Sequence, residues 1–247
     1  MKAMIYAAGL GTRLKPWTDR HPKALAEVGG VPMLERVILG LKGFGVDRFV
    51  INVHHFASQV VDFIESKEFG VEILISDESD CLLDTGGGLV RAKGLLDFAS
   101  GPVVLHNADI LSNADISCLA ESQLHSSNHG LLLVSDREST RKLIFDTEMN
   151  LRGWHDLRAD AYRPNGFEAS AFDREYAFSG IHVVDGEMVE EMENLFGNRK
   201  FPIMDYYLSE SRRCKVGGHF QRNLELIDIG KPESLAWAEA LFGQPES

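Results

Sequence analysis

The chain has 247 residues, 44% of them hydrophobic, and a formal net charge of −12 at pH 7. That length suffices for one large α/β core, and no Pro/Ser/Gly-rich linker or charge block divides it, so residues 1–247 read as a single domain. The acidic balance argues against nucleic acid, no apolar run approaches the roughly 20 residues a bilayer requires, and three cysteines (Cys81, Cys118, Cys214) at unrelated spacings form neither a metal set nor an even disulfide framework.

Residues 2–8 are a short apolar run suited to a central strand. Gly9 and Gly11 follow, allowing positive φ and close backbone approach, so that successive N–H groups can line an anion-binding concavity. Thr12 adds a hydroxyl and Arg13 a planar fork, while Lys15, Arg20 and Lys23 crowd further positive charge into the same turn. A cationic loop in an acidic chain points to an anionic ligand, and the segment reads as a cradle for a triphosphate. Two familiar phosphate motifs fail here. GxxxxGK[ST] lacks its second glycine and its Lys-Ser/Thr pair, and GxGxxG fails at Leu14.

Pro32 suits a helix first turn, and Met33, Leu34, Val37, Ile38 and Leu41 recur at helical spacing until Gly43 and Gly45. A strand over 48–53, a helix around Val60, Val61 and Ile64, and a strand over 71–75 follow. A glycine loop at 85–88 then leads into a helix over 89–96 and a strand over 102–105. This alternation predicts right-handed crossovers onto a parallel sheet. Ligands of such sheets lie beyond the strand carboxyl ends, where the first loop, the Thr85 loop and Asp109 all fall. From 131 the pattern changes. A strand over 131–134 is followed by a hairpin whose polar turn spans 146–150. The stretch 155–175 is polar and unpatterned, either a substrate flap or a surface excursion, within a possible flap region 136–175. Residues 176–184 return to the sheet, Met188 to Phe196 have the spacing of a core-packed helix, 224–229 form a strand, and a closing helix covers 232–242. Alternation places Asp228 at the end of an apolar stripe with Leu224 and Leu226, where a charge needs a cation. The histidines, His54, His55 and His106 included, read as structural.

Gly9, Gly11, Thr12, Arg13, Leu14, Pro16, Thr18, Pro22, Lys23 and Leu25 match the pattern GxGTRLxPxT followed by PKxL. On these positions the chain resembles the sugar-1-phosphate nucleotidyltransferases. The resemblance extends through 28–35, 84–88, 107–109, 178–181 and 227–230, and is weakest over 136–175. It implies a three-layer α/β/α sandwich with a mostly parallel, mixed central sheet, a Rossmann-like fold. The reaction it implies is attack by a sugar-1-phosphate on the α-phosphorus of a nucleoside triphosphate, with pyrophosphate leaving.

The resemblance also assigns roles. Ala8, Gly9, Gly11 and Thr12 face the triphosphate, Arg13 grips the departing pyrophosphate, and Lys23 offsets charge at the α-phosphate. Thr85, Gly86 and Gly87 form a nucleotide-facing loop like that of the short uridylyltransferases, which favours UTP, while Asn107, Ser179 and Gly180 lie on the sugar side. Asp109 and Asp228 hold a metal, and hard oxygen donors beside phosphates favour Mg²⁺ over Zn²⁺. Ala108 stands where many relatives have glycine, and Asp84 where glutamate is common. The alternatives are a guanylyltransferase acting on mannose- or heptose-1-phosphate, and a catalytically silent regulatory subunit that binds nucleotide sugars. Residues 1–8 are too short for a signal-peptide apolar region, so the expected compartment is the cytoplasm, and no hexapeptide repeat suggests a second activity.

Overall fold

The structure is a computed structural model that describes residues 1–230 together with 234, 237 and 238. It begins with strand β1 (Lys2–Tyr6) and three single-turn 3-10 segments (Thr12–Leu14, Trp17–Asp19, Lys23–Leu25). A short ribbon β2 (Glu27–Val28) and β3 (Val31–Pro32) leads to α1 (Met33–Gly43), β4 (Arg48–Val53), α2 (Ala57–Glu65), β5 (Glu72–Asp77), α3 (Asp84–Ala92), β6 (Val103–Asn107), β7 (Ile110–Ser112) and α4 (Ile116–His125). The second half comprises β8 (Gly130–Ser135), β9 (Arg141–Phe145), β10 (Leu151–Asp156), β11 (Ala161–Arg163), β12 (Arg174–Val184), α5 (Gly186–Phe196), α6 (Ile203–Tyr207), β13 (Val216–Phe220) and β14 (Leu226–Asp228).

β1 lies at the centre because it is apolar on both faces. It pairs in parallel with β4 on one side and β6 on the other, and β5 extends the parallel part beyond β4. The sheet order is β11-β10-β9-β12-β6-β1-β4-β5, with β12 antiparallel to β6 and β8 paired to both β12 and β13. Strand alternation sorts β1 into two cores. Ala3 and Ile5 pack with Leu34 and Ile38 of α1, Val60 of α2 and Leu119 of α4. Met4 packs with Leu89 of α3, Met188 and Met192 of α5, and Tyr206 and Tyr207 of α6. Helices thus cover both faces, and the expected three-layer α/β/α sandwich with a mixed sheet is the fold observed. Among the described residues, no helix is long and apolar enough to cross a membrane. Cys81 and Cys118 are exposed, Cys214 is buried, and all three are unpaired.

Several expectations need correction. The expected strands over 2–8 and 102–105 are Lys2–Tyr6 and Val103–Asn107. The expected loop at 85–88 is the first part of α3, which starts at Asp84. Three consecutive glycines have poor helix propensity, but packing overrides it. A Cβ on Gly86 would lie 2.2 Å from the Phe201 ring, and one on Gly87 2.5 Å from the Arg199 carbonyl oxygen. Only glycine lets the helix approach the segment before α6 so closely. The stretch 155–175 also carries structure, since β11 pairs with β10 and Tyr162 stacks on His155 at 4.0 Å between centroids. The hairpin turn over 146–150 forms as expected, with the Asp146 carboxylate accepting the N–H groups of Glu148 and Asn150. The closing helix over 232–242 lies outside the described residues apart from 234, 237 and 238.

One buried carboxylate ties the lower layer together. Glu191 of α5 accepts hydrogen bonds from the Tyr206 hydroxyl at 2.9 Å and from the N–H groups of Arg213 and Cys214 at 2.6 and 2.8 Å. Burial alone would raise its pKa. The donors from Cys214, Arg213 and Tyr206 outweigh burial and hold it down at about 2. A depressed carboxyl pKa adds stability above the unfolded value, near 4.5, and that stability is lost as pH falls through about 2. Glu191→Gln is expected to cost about 2–4 kcal/mol and to flatten the stability profile over that acidic window, measured by denaturant melts from pH 7 downward.

Candidate active site

A cleft of about 330 Å³ opens at the carboxyl ends of the parallel strands, lined by Ala8, Gly9, Lys23, Asn107 and Asp109 among others. Its floor is built from backbone geometry. Gly9 has no atom within 4 Å of where a Cβ would stand, so its surface is left open to a ligand. Gly11 adopts φ +62°, and a Cβ there would come within 2.8 Å of Thr18 Cγ2 and 2.9 Å of Lys23 Cβ. The loop therefore needs glycine at 11 to fold down onto Lys23. The Thr18 hydroxyl and the Leu14 N–H both donate to the Gly11 carbonyl at 2.9 Å, fixing the turn. Thr12 and Arg13 lie exposed on the 3-10 segment above it.

The acidic pair is assembled by strand pairing. β14 runs antiparallel to β7 with Asp228 opposite Ile110, and the Ile229 N–H donates to the Asp109 carbonyl at 3.0 Å. This brings together two carboxylates far apart in sequence. Lys23 stands between them. Its ammonium donates to Asp109 Oδ2 and lies 3.6 Å from Asp228 Oδ1, while Arg13 Nη2 lies 3.7 Å from Asp228 Oδ2. The expected apolar stripe forms, with Leu224 buried and Leu226 packed against the core, and Asp228 ends it beside cations. Ile227 and Ile229 on the opposite row are buried as well, and the Asp228 side chain is 47% exposed beside its two cationic partners. Along the row Leu224, Leu226, Asp228 burial decreases from buried to exposed, so the charge sits where the stripe leaves the core.

Gly230 completes this corner. A Cβ there would lie 2.6 Å from Arg13 Nη2 and 2.8 Å from both Arg13 Cζ and Asp228 Oδ1. Gly230→Ala should push the guanidinium off its carboxylate partner. A displaced donor still reaches part of its target, so kcat is expected to fall roughly tenfold, less than the ~10²-fold cost of outright removal. A thermal melt of the variant should match the parent.

Other predicted site residues are placed differently. Asn107 ends β6 and lines the cleft. Ser179 is 2% exposed, and its hydroxyl accepts the Ile181 N–H at 3.1 Å. Gly180, at φ +76°, lies where a Cβ would strike Asn107 Nδ2 at 2.6 Å. Ser179 and Gly180 thus form a bulge that backs Asn107. Thr85 reaches the cleft, but its hydroxyl accepts the Ile203 N–H at 2.9 Å. The N–H groups of Gly86 and Gly87 both donate to the Phe201 carbonyl, so neither is free for a nucleotide. Both positions need glycine for helix packing.

Sequence reasoning missed a buried polar chain on the opposite wall. The Ala7 N–H donates to Asn52 Oδ1 at 2.8 Å, Asn52 Nδ2 to Glu78 Oε1 at 2.7 Å, and the Leu83 N–H to Glu78 Oε2 at 3.0 Å. Glu78 is fully buried and also lines the cleft, so this chain fixes the loop after β1 against the segment entering α3. The available signal was Asn52 interrupting an otherwise apolar strand.

Burial pushes His106 down to about 4 and His182 down to about 3. The His106 Nδ1–H donates to the Asn107 carbonyl at 2.8 Å. Both rings stay neutral near pH 7, in keeping with structural roles.

The donor set suits a hard cation. Among the described residues, no group of three or more His, Cys, Asp and Glu side chains converges on one point. Asp109 and Asp228 instead flank a single cation, the Lys23 ammonium, and present only oxygen. Such a pair fits an ion that takes the rest of its shell from phosphate and water, as Mg²⁺ does.

Comparison with known proteins agrees with this geometry. Residues 2–142 match the family described as nucleotidyl transferase. The N-acetylmuramate alpha-1-phosphate uridylyltransferase of Neisseria meningitidis serogroup B is 29% identical, over 98% of this chain and 99% of its own length. The protein of the same name from Caulobacter vibrioides is 43% identical over 110 residues, a span of 43% of this chain and 45% of that protein. A mannose-1-phosphate guanyltransferase of Aspergillus oryzae is 31% identical over 98% of this chain and 64% of its own length. Among solved structures, HddC from Yersinia pseudotuberculosis complexed with GMP-PN superposes with a TM-score of 0.76 at 20% identity, covering 98% of this chain and 99% of that one. The inositol-1-phosphate CTP transferase from T. maritima gives 0.74 at 18% identity, covering 94% and 90%. At such identities the structural likeness speaks to fold.

Proposed function

This chain belongs to the nucleotidyl transferase family and is an enzyme of the sugar-1-phosphate nucleotidyltransferase type, and from that premise we propose that it transfers a uridylyl group from UTP to an amino-sugar-acid 1-phosphate, with Mg²⁺, releasing pyrophosphate. The observation that carries the chemistry is the β7–β14 pairing, which sets Asp109 and Asp228 against Lys23 and Arg13 beneath an open glycine loop. The Neisseria relative, similar over nearly the whole of both chains, supports UTP and N-acetylmuramate α-1-phosphate as the pair. The guanylyltransferase alternative is favoured by the Aspergillus relative. The complete set of two cations and two carboxylates speaks against a silent regulatory subunit.

In this reading, the backbone of Ala8, Gly9 and Gly11 and the hydroxyl of Thr12 receive the triphosphate. Arg13 holds the β- and γ-phosphates as they depart. Lys23 exchanges its carboxylate partners for the α-phosphate, where negative charge builds up in the transition state. Asn107, held from behind by Gly180, orients the sugar. The attacking phosphate oxygen is already ionised at neutral pH, so no general base is required, and alignment and charge neutralisation supply the rate. Asp109 and Asp228 would hold Mg²⁺, which neutralises phosphate charge. The residues fold as one domain in this reading, and three unpaired cysteines suit a cytoplasmic site of action.

The test is pyrophosphate release with Mg²⁺, pairing UTP, GTP, CTP, dTTP and ATP with N-acetylmuramate-, N-acetylglucosamine-, glucose-, mannose- and heptose-1-phosphates. UTP with N-acetylmuramate-1-phosphate should be the productive pair. A GTP–mannose pair would select the alternative, and silence throughout with nucleotide-sugar binding would select the regulatory reading.

A further inference from the structure

Arg137 stands in the loop after β8 and has no role in the chemistry above. Leu131 and Leu133 of β8 point into the core shared with Ile110, Ile181 and Leu224. Strand alternation places Ser135 in the same row, and Arg137 follows two residues later, past a bend at Asp136. The loop is pinned, since Lys142 Nζ donates to the Arg137 carbonyl at 2.7 Å. The guanidinium itself is half-buried. Nη2 donates to the Phe178 carbonyl at 2.8 Å and Nη1 reaches the Glu138 carbonyl at 3.4 Å, but Nε is buried without a partner among the described residues. The Ser135 hydroxyl in the same row is also buried and unpartnered.

Two observations place this cation on the acceptor side. Phe178 directly precedes the Ser179–Gly180 bulge that backs Asn107. Burial lowers the Arg137 pKa and the Asp228 carboxylate opposes that effect, so the two charges lie within electrostatic range of each other. Among the described residues no carboxylate forms an ion pair with it. A half-buried guanidinium without a counter-charge is costly, and its planar fork matches the paired oxygens of a carboxylate or phosphate.

We propose that Arg137 is an anion-recognising residue of the acceptor subsite, gripping an oxygen pair of the incoming sugar phosphate. The proposal rests on the reading of this cleft as a nucleotidyl-transfer site. The oxygens come either from a carboxylate substituent on the sugar or from the 1-phosphate.

The experiment uses the full chain with Arg137→Met, which keeps the apolar stem, and Arg137→Lys, which keeps the charge but loses the fork. Acceptor KM is measured at saturating UTP with N-acetylmuramate-1-phosphate and with N-acetylglucosamine-1-phosphate. The expected result is a rise of about tenfold or more for Arg137→Met and a smaller one for Arg137→Lys, with the KM for UTP and the melting temperature unchanged. A loss confined to the muramate acceptor assigns the carboxylate, and an equal loss on both assigns the phosphate. Acceptor KM within twofold of the parent in both folded variants overturns the proposal. If the parent turns over neither acceptor, the functional reading has failed, and calorimetric titration with N-acetylmuramate-1-phosphate then decides about Arg137. Weaker binding by Arg137→Met supports the anion site, whereas equal binding, or none by either protein, overturns it.

Discussion

Asp228→Asn is expected to abolish transferase activity, a loss of about 10³-fold or more, while the protein melts where the parent does. The substitution is nearly isosteric, and β14 is held to β7 through backbone pairing that does not use the side chain. The carboxylate is half-exposed and its contacts to Arg13 and Lys23 are 3.7 and 3.6 Å long. Exposed pairs of that kind contribute about 0–1 kcal/mol to stability, so little is lost on folding. Function is a different matter. In the proposed reaction the charge would hold the Arg13 fork over Gly230 and, together with Asp109, would supply the protein's oxygen donors for Mg²⁺. Pyrophosphate release and a thermal melt on the same preparation check both halves. Retained Mg²⁺-dependent turnover would sink the assignment of Asp228.

Lys23→Met should lower kcat by about 10²-fold or more, because one preorganised positive group is removed from the position where charge develops. Lys23 differs from Arg13 in being nearly enclosed, with a side chain only 12% exposed. Its ammonium bridges Asp109 and Asp228. Methionine fills the same volume but leaves those carboxylates facing each other without a cation. The variant should therefore be stabilised by added Mg²⁺ more than the parent, in which the ammonium competes for the same oxygens. Differential scanning calorimetry with and without Mg²⁺ provides that comparison, and an equal shift in both proteins would show that Lys23 and the metal do not share a site.

The parts of the fold that were legible from sequence are those whose cause is local. The apolar run at the amino terminus, the helical spacing of Met33, Leu34, Val37, Ile38 and Leu41, and the polar hairpin turn after Phe145 each follow from residues within one or two turns of each other. The segment at 84–88 was not legible in this way. Its glycines suggested a loop on propensity alone, but the partners of Gly86 and Gly87, Phe201 and Arg199, lie more than a hundred residues away. The Asn52–Glu78 chain likewise joins residues 26 positions apart, and Lys23 meets Asp109 across 86.

From its sequence alone, the chain declared the glycines at 9 and 11, the cations Arg13 and Lys23 that share their turn, and an alternation of strands and helices that required a sheet covered on both faces. These depend on backbone freedom, charge and periodicity, which act over a few residues. Only the tertiary structure decided that Arg13 and Lys23 are the cations beside Asp228, that Ser179 and Gly180 stand behind Asn107, and that Arg137 donates to the Phe178 carbonyl next to that bulge. Those outcomes depend on which strands become neighbours and which face of each stays dry. Burial and pairing between distant segments set both, and no local pattern records them.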